Sequence, residues 1–294
     1  RLGLERRLQV DEFADRISFN FDIFGNLFEQ VAKFRAARRL WARILRDEFG
    51  AQKPATMQLK MIAGGGGGGL TIEQPENNIV RGAYYALISA LSGTQTMALC
   101  SYDEAYTIPT EKAALISLRT MQILVEEMGL CDTVDPLAGS YYVEWLTNEM
   151  EKRIATEIRL VDEELGGIVR AVSEGAIQRA VAHQAWRYEQ GLQDGSIPKV
   201  GVNRYRMEEA AREVELHPYN PRQAEESTRR LEETRAARDP QAVGRALEAV
   251  RESAASGANV MPSMMEAARA YASLGEITRV LREVFGEFQE PVSL

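Results

Sequence analysis

The chain has 294 residues, 45% of them apolar and 27% charged, which is a globular composition and not that of a disordered tail. Acidic residues (43) outnumber basic ones (35), and the net charge of −8 argues against a nucleic-acid protein, whose affinity rests on phosphate neutralisation. Two cysteines, Cys100 and Cys131, make no disulfide framework and point to a reducing, cytoplasmic compartment; no apolar run approaches the ~18 residues of a membrane span, and no signal peptide opens the chain.

The chain starts Arg1-Leu2-Gly3 without a Met, so it is expected to be a piece of something longer. Arg16 to Phe21 is short and rich in β-formers, and reads as a strand. Leu27 to Phe49 reads as a helix, with Leu27, Val31, Phe34, Trp41, Ile44 and Leu45 at three- and four-residue steps and Gly50 as its stop. Met57 to Ala63 is a second strand, followed by six glycines, Gly64 to Gly69. Asn77 to Ser92 is the next helix, ended by Gly93, and Thr94 to Cys100 the third strand. Pro109-Thr110-Glu111 opens a helix whose buried stripe is expected to be Ala114, Leu118, Met121, Val125 and Met128. This βαβαβα order builds a parallel sheet, because a parallel strand is reached through a crossover helix. The fold class is α/β, either a barrel or a doubly wound sheet. Three strands cannot close a barrel of eight, so for a barrel the other strands lie upstream of Arg1. From 143 onward the pattern is helical: Val143 to Leu165, Ile168 to Glu189, Pro221 to Ala237, then two or three helices between Pro240 and Phe288. Pro198 to Pro221 reads as a loop with an ordered connector at Gly201 to Tyr205, and 290–294 as a frayed tail. The division is 1–142, strand–helix units, and 143–294, helical.

Ligands of parallel α/β structures meet the carboxyl ends of the strands. Three such ends are visible: Asn20 to Asn26, the glycine run, and Ser101 to Ala105. The glycine amides could line a ligand or admit a planar cofactor; the run equally reads as a flexible lid, or as a stretch standing for unassigned side chains. It lacks the Gly-Lys-Ser/Thr ending of a P-loop. Asp103 and Glu104 could bind ribose hydroxyls or do acid–base work, although spacing alone favours capping and surface roles. Asp132 and Asp135 read as a structural turn, and Cys100 as an inert thiol. His183 reads as a packed helix histidine, and with His217 is too isolated for a metal site. Arg35, Arg38, Arg39 and Arg43 on one helix read as a solvated or partner-facing side.

Several long strings carry a resemblance. They are Lys33-Phe34-Arg35-Ala36-Ala37-Arg38-Arg39-Leu40-Trp41-Ala42, Gln74-Pro75-Glu76-Asn77-Asn78-Ile79-Val80-Arg81, Gly93-Thr94-Gln95, Ser101-Tyr102-Asp103-Glu104-Ala105, Asp132 through Glu144, Val200 to Asn203 and Leu274 to Thr278. On these the chain resembles the catalytic subunit of the adenosylcobalamin-dependent acyl-CoA mutases, the methylmalonyl-CoA mutase family. The resemblance implies the C-terminal part of a (β/α)8 TIM barrel followed by a mainly helical region. The CoA thioester would run along the barrel axis, and cobalamin would cap the strand ends, held by a separate domain or subunit in a hetero-oligomer. Cobalt–carbon homolysis would give an adenosyl radical that abstracts a substrate hydrogen before a group migrates.

By the same resemblance Arg16 and Ser18 match positions that contact CoA, and Glu104 the acid that holds the adenosyl ribose. Gly67 and Thr107 match positions beside the cobalamin, and Cys100 stands where the family has an Asn near the ribose. The family's His-Thr-Gln-Thr-Ala-Gly is replaced by Ile62-Ala63 and glycines, and Asn20 and Asp22 interrupt an otherwise aromatic strand end. These changes suggest a different acyl group, with 2-hydroxyisobutyryl-CoA a candidate beside methylmalonyl-CoA. Neither His183 nor His217 fits the Asp-x-His-x-x-Gly signature of a cobalamin-binding domain, so the lower cobalt ligand is expected from elsewhere. Two rivals stand against this reading: a non-catalytic assembly fragment of such a mutase, and an unrelated α/β protein that binds phosphate on its glycine loop.

Overall fold

A computed structural model describes residues 1–207 and 214–291. The chain divides into two compact units, one up to His217 and one from Pro218 to Ser293. The first begins with two single-turn helices, α1 (Leu2–Glu5) and α2 (Val10–Phe13). Strands β1 (Ser18–Asp22), β2 (Lys60–Gly65) and β3 (Thr96–Leu99) then form a parallel sheet in that order. Helix α3 (Leu27–Arg43) joins β1 to β2, α4 (Asn77–Ser92) joins β2 to β3, and α5 (Glu111–Glu126) follows β3. Each predicted strand–helix unit is present. The first strand starts two residues late, because Ala14–Arg16 form a 3-10 turn.

The two faces of the sheet differ in chemistry, as period-2 alternation requires. Phe19, Phe21, Met61, Ala63, Met97 and Leu99 pack with Phe34, Tyr85 and Ile88 of α3 and α4. Ser18, Asn20, Asp22, Ile62, Gly64, Thr96 and Ala98 are on the other face, exposed or half-buried. A parallel sheet ordinarily has both faces covered. Here the helices cover one, and the open face mixes the polar Ser18, Asn20, Asp22 and Thr96 with Ile62, Gly64 and Ala98.

Four expectations are corrected. Helix α5 turns Ala113 and Ser117 inward, where Ser117 Oγ donates to the Leu99 carbonyl at 2.8 Å. The close approach suits these small side chains, and Leu118, Val125 and Met128 of the expected stripe are exposed. Thr110 caps this helix, its side chain accepting from the Ala113 amide, and Pro109 precedes the cap. The helix expected from Ile168 to Glu189 is two, α7 (Ile168–Ser173) and α8 (Ala176–Gln193), parted at Gly175 with φ +75°. His183 is exposed on α8, stacked on Trp186 at 6.2 Å.

The fourth correction concerns the arginines of α3. Helix α6 (Tyr141–Arg159), the first of the helical region, packs on α3 within the same unit. Arg35 donates to Glu144 at 2.8 Å, Asp135 at 3.1 Å and Thr147 at 3.2 Å. Arg39 and Arg43 both bind Glu151, and Arg38 reaches the Ser92 carbonyl at 2.6 Å. The row is one side of an ion-paired seam, half-buried at Arg35, Arg38 and Arg39 and exposed at Arg43. Two of the family-like strings, 33–42 and 132–144, are the two sides of that seam.

The second unit holds α9 (Pro221–Ala237), α10 (Pro240–Ala255), α11 (Met261–Arg269) and α12 (Leu274–Phe285). Its core is Val250, Ala267, Ile277 and Val280. Asn220 and Asp239 cap α9 and α10, with Pro at the first helical position of each, where a missing amide costs nothing. The tail residues 292–294 and part of the 198–221 loop lie outside the described residues.

Candidate functional site

The carboxyl ends of the strands meet around the glycine run. Gly64 and Gly65 end β2, Gly66 adopts φ +77°, and Gly67–Gly69 form a 3-10 turn closed by the Gly69 amide on the Gly66 carbonyl at 2.8 Å. Asp22, at the end of β1, fixes this turn: its Oδ1 accepts the amides of Ile23 at 2.9 Å and Gly66 at 3.1 Å. The run thus forms a hydrogen-bonded turn tied to the end of β1.

Steric demand explains glycine at three of the six positions. A Cβ on Gly65 would press on the Leu99 backbone and come within 2.6 Å of the Ala98 oxygen and the Cys100 nitrogen. On Gly66 or Gly69 it would run into the Tyr85 side chain. Gly67 and Gly68 differ. Both are exposed; a Cβ on Gly67 would meet only Cys100 Sγ, at 3.5 Å, and on Gly68 only Asp22 Oδ2, at 3.9 Å.

The third strand end folds back on itself. Glu104 accepts the Ser101 amide at 2.6 Å, and its own amide bonds the Ser101 carbonyl at 3.1 Å. Burial, and then the adjacent Glu104 carboxylate, push the Cys100 thiol up to about 11. The thiol is therefore neutral near pH 7 and hydrogen-bonds to Glu104, with the Gly67 amide beside it. Asp103 is different from its neighbour: it is buried, and its Oδ2 accepts both the amide and hydroxyl of Thr110 at 2.9 Å. It anchors the start of α5. Thr107 donates its amide to the Asp103 carbonyl at 3.0 Å, and its hydroxyl oxygen accepts the His217 amide at 3.1 Å.

Gly67, Cys100 and Glu104 are thus brought together, with Thr107 at the end of the same turn. Arg16 and Ser18 are at the other end of the sheet, Arg16 exposed in the 3-10 turn and Ser18 opening β1. Ser18 and Asp22 are four residues apart on an extended strand, about 13 Å. A molecule touching both groups must lie along the strands.

Sequence reading missed three supports. Lys199 donates to the Gly69 carbonyl, and burial, then Arg81, lowers its ammonium pKa. Asn78 binds the carbonyls of Thr71 at 2.8 Å and Tyr102 at 2.9 Å, tying the segment after the turn to the third strand end. Arg81 reaches the Val200 carbonyl at 2.7 Å. All three belong to or adjoin the strings 74–81 and 200–203, which was the available signal. Gly67, Gly68, Thr71, Glu104, Tyr188 and Lys199 are among the residues lining a cavity of about 420 Å³.

The raised thiol predicts slow alkylation. At pH 8 Cys100 reacts with iodoacetamide roughly a hundredfold more slowly than an ordinary exposed thiol, because the thiolate is the nucleophile. Cys131 is exposed and takes the label first. Peptide mass spectrometry against time checks the order, and equal rates would contradict it. The same proton makes stability fall as pH climbs from the ordinary thiol range toward about 11, since the folded state holds it longer than the unfolded chain.

Residues 1–287 match the family profile described as methylmalonyl-CoA mutase. The chain is 42% identical over 289 residues to a methylmalonyl-CoA mutase of Rhizobium meliloti, covering 98% of this chain and 40% of that protein. It is 39% identical over 284 residues to the 2-hydroxyisobutanoyl-CoA mutase large subunit of Aquincola tertiaricarbonis, covering 96% and 50%. A methylmalonyl-CoA mutase of Escherichia coli is 38% identical over 291 residues, at 99% and 40% coverage. The chain spans half or less of the length of these relatives.

Proposed function

Because this chain belongs to the methylmalonyl-CoA mutase family, we propose that it supplies the last strands of a (β/α)8 barrel in an adenosylcobalamin-dependent mutase. That enzyme isomerises an acyl-CoA of the methylmalonyl or 2-hydroxyisobutyryl type. Family membership removes the rival of an unrelated phosphate-binding protein. The observation that carries the enzymatic reading is the bare glycine turn at the carboxyl ends of a parallel sheet with one open face. A sheet of this kind is completed by further strands, with its open face turned to the substrate.

The residues fit a large planar cofactor. Gly67 and Gly68 have open space where side chains would stand, and Glu104 and Cys100 offer an acceptor and a neutral donor beside them. Neither His183 nor His217 stands in an Asp-x-His-x-x-Gly setting, so the lower cobalt ligand would come from a cobalamin-binding domain or subunit. When bound, adenosylcobalamin supplies the hydrogen-abstracting radical chemistry of the rearrangement. The chain's own work is positional. Glu104 accepts from the adenosyl ribose hydroxyls, and Thr107 borders the same edge. The glycine turn, held by Asp22 and Lys199, keeps the cofactor face free of bulk. Arg16 and Ser18 take the CoA end, with Arg16 suited to a phosphate. Two free cysteines suit a reducing cytoplasm.

The test is turnover. The complete subunit, its cobalamin-binding partner and adenosylcobalamin are incubated with a panel of branched and hydroxylated acyl-CoAs, and isomers are separated by chromatography. No turnover of any member overturns the proposal. A second expectation concerns Glu104→Ala. It weakens binding of the adenosyl group about tenfold or more, the loss of a charged acceptor, and leaves CoA binding unchanged. Titrations with 5′-deoxyadenosine and with CoA check this, and equal losses would contradict it.

A further inference from the structure

The open face of the sheet presents rows of side chains at the height where the strands end. The uppermost row is Asp22, Gly64 and Ala98, and the one below is Asn20, Ile62 and Thr96. Gly64 and Ala98 offer no functional group, so Asp22 is the one polar side chain of the top row. Its Oδ1 is held by the amides of Ile23 and Gly66, which fixes the orientation of the carboxylate. Its Oδ2 is directed toward the open side of the turn, 3.9 Å from the position a Gly68 Cβ would take.

Neither row carries a cation. Lys33, from α3 on the covered side, commits its ammonium to the Asp22 carbonyl at 2.8 Å and to Gln30 at 2.6 Å; burial lowers its pKa and the nearby Asp22 carboxylate opposes that, but the ammonium is held on the covered side. Lys60, one row further down, binds the Asp15 carbonyl, and Lys199 the Gly69 carbonyl. Glu104 adds a second carboxylate at the same strand ends. An acyl group reaching this height meets acceptors and a fixed negative charge.

We infer that Asp22 is a specificity-determining residue for the acyl group, selecting a substituent that donates a hydrogen bond, a hydroxyl, over one that is itself a carboxylate. The inference rests on the proposed acyl-CoA function. A hydroxyl donates to the free Oδ2. A substrate carboxylate there faces a like charge and finds no cation in the two rows, and sites built around a hydrogen-bonding group discriminate strongly.

The complete subunit with its cobalamin-binding partner tests this by equilibrium binding of thioesters, without turnover. The probes are 2-hydroxyisobutyryl-CoA, isobutyryl-CoA and methylmalonyl-CoA. The unaltered protein is expected to bind the hydroxylated thioester about tenfold or more tightly than the other two. Asp22→Asn keeps an oxygen for the two amides but turns Oδ2 into a donor. It should abolish the preference for the hydroxyl and raise affinity for methylmalonyl-CoA. Asp22→Ala should bring the hydroxylated and plain thioesters to equal affinity, and circular dichroism of both variants checks folding. A preference of the unaltered protein for methylmalonyl-CoA, or ratios unmoved in a folded Asp22→Asn, overturns the inference alone. Absence of binding by every thioester overturns the proposed function with it.

Discussion

Gly65→Ala lowers the thermal midpoint of the chain by ~6–12 °C, while Gly68→Ala leaves it nearly unchanged. The two glycines are three residues apart in a run of identical residues, yet their surroundings are opposite. At Gly65 the new methyl has no side chain to push aside. It meets backbone, the Leu99 Cα, the Ala98 oxygen and the Cys100 nitrogen, so β3 itself must move from β2. Overpacking of this kind costs about 3 kcal/mol or more when the obstacle is main chain. At Gly68 the methyl has only Asp22 Oδ2 within 4 Å, and the backbone is not left-handed. The expected change there is within about 0.5 kcal/mol. Paired melting curves decide the matter. Equal shifts in the two variants would show that the run is held less closely than described.

Glu276→Ala unfolds the second unit at lower denaturant, by about 2 kcal/mol, and leaves the first unit's transition in place. Its carboxylate takes both arms of Arg238, at 2.6 and 2.7 Å, and the amide and hydroxyl of Ser273, at 2.7 and 2.8 Å. The bond from the Ser273 amide is one half of the capping box of α12, the other being the Glu276 amide on the Ser273 side chain; the box is worth about 1 kcal/mol, and the charged bonds add to that after discount for solvent screening. Hydrogen bonding to Arg238, more than any other cause, holds this carboxyl well below the usual glutamate range. A depressed carboxylate stabilises the fold fully above its ordinary range and loses the contribution as pH falls below it. Acid titration of the second unit's unfolding should therefore begin earlier in Glu276→Ala than in the unaltered chain. Superimposable acid transitions would remove Glu276 from the account. The family-like string Leu274 to Thr278 is thus the start of a capped helix.

Local signals were legible and long-range ones were not. Helix α4 runs from Asn77 to Ser92 as its apolar period and Gly93 predict, because Gly93 can take φ +68° and end it. The turn at Asp135 reads as structural from its own residues. The arginines of α3 do not, since their acids come from a hundred or more residues away and a charge row looks the same whether solvated or paired. The stripe of α5 misled for a related reason. Periodicity finds the more apolar side of a helix, and here the side against the sheet is chosen by clearance, with Ala113 and Ser117 facing in. At the site, the three strand ends followed from the order of elements, whereas Cys100 and Glu104 were marked by the resemblance and not by their own spacing. Asp22 and Lys199 as supports of the glycine turn followed from neither, and no spacing rule separates Asp103, which anchors a helix, from Glu104 beside it.

Six identical glycines carry no information about register. Strand pairing is ordinarily fixed by which side chains must be buried, and a slip of one position in Gly64 to Gly69 exchanges nothing for nothing. The frame of β2 is set below the run. Gln95 clamps it there, its side-chain oxygen accepting the Met61 amide at 2.9 Å and its side-chain nitrogen donating to the Leu59 carbonyl at 3.3 Å. Met61 and Ala63 then fill the covered side. With the ladder locked at its lower end, gain or loss of one glycine changes the span of the turn and not the pairing of the strands. The segment therefore tolerates length variation at the carboxyl ends of the strands, and the distance from the turn to whatever it faces can be adjusted without rewriting the sheet.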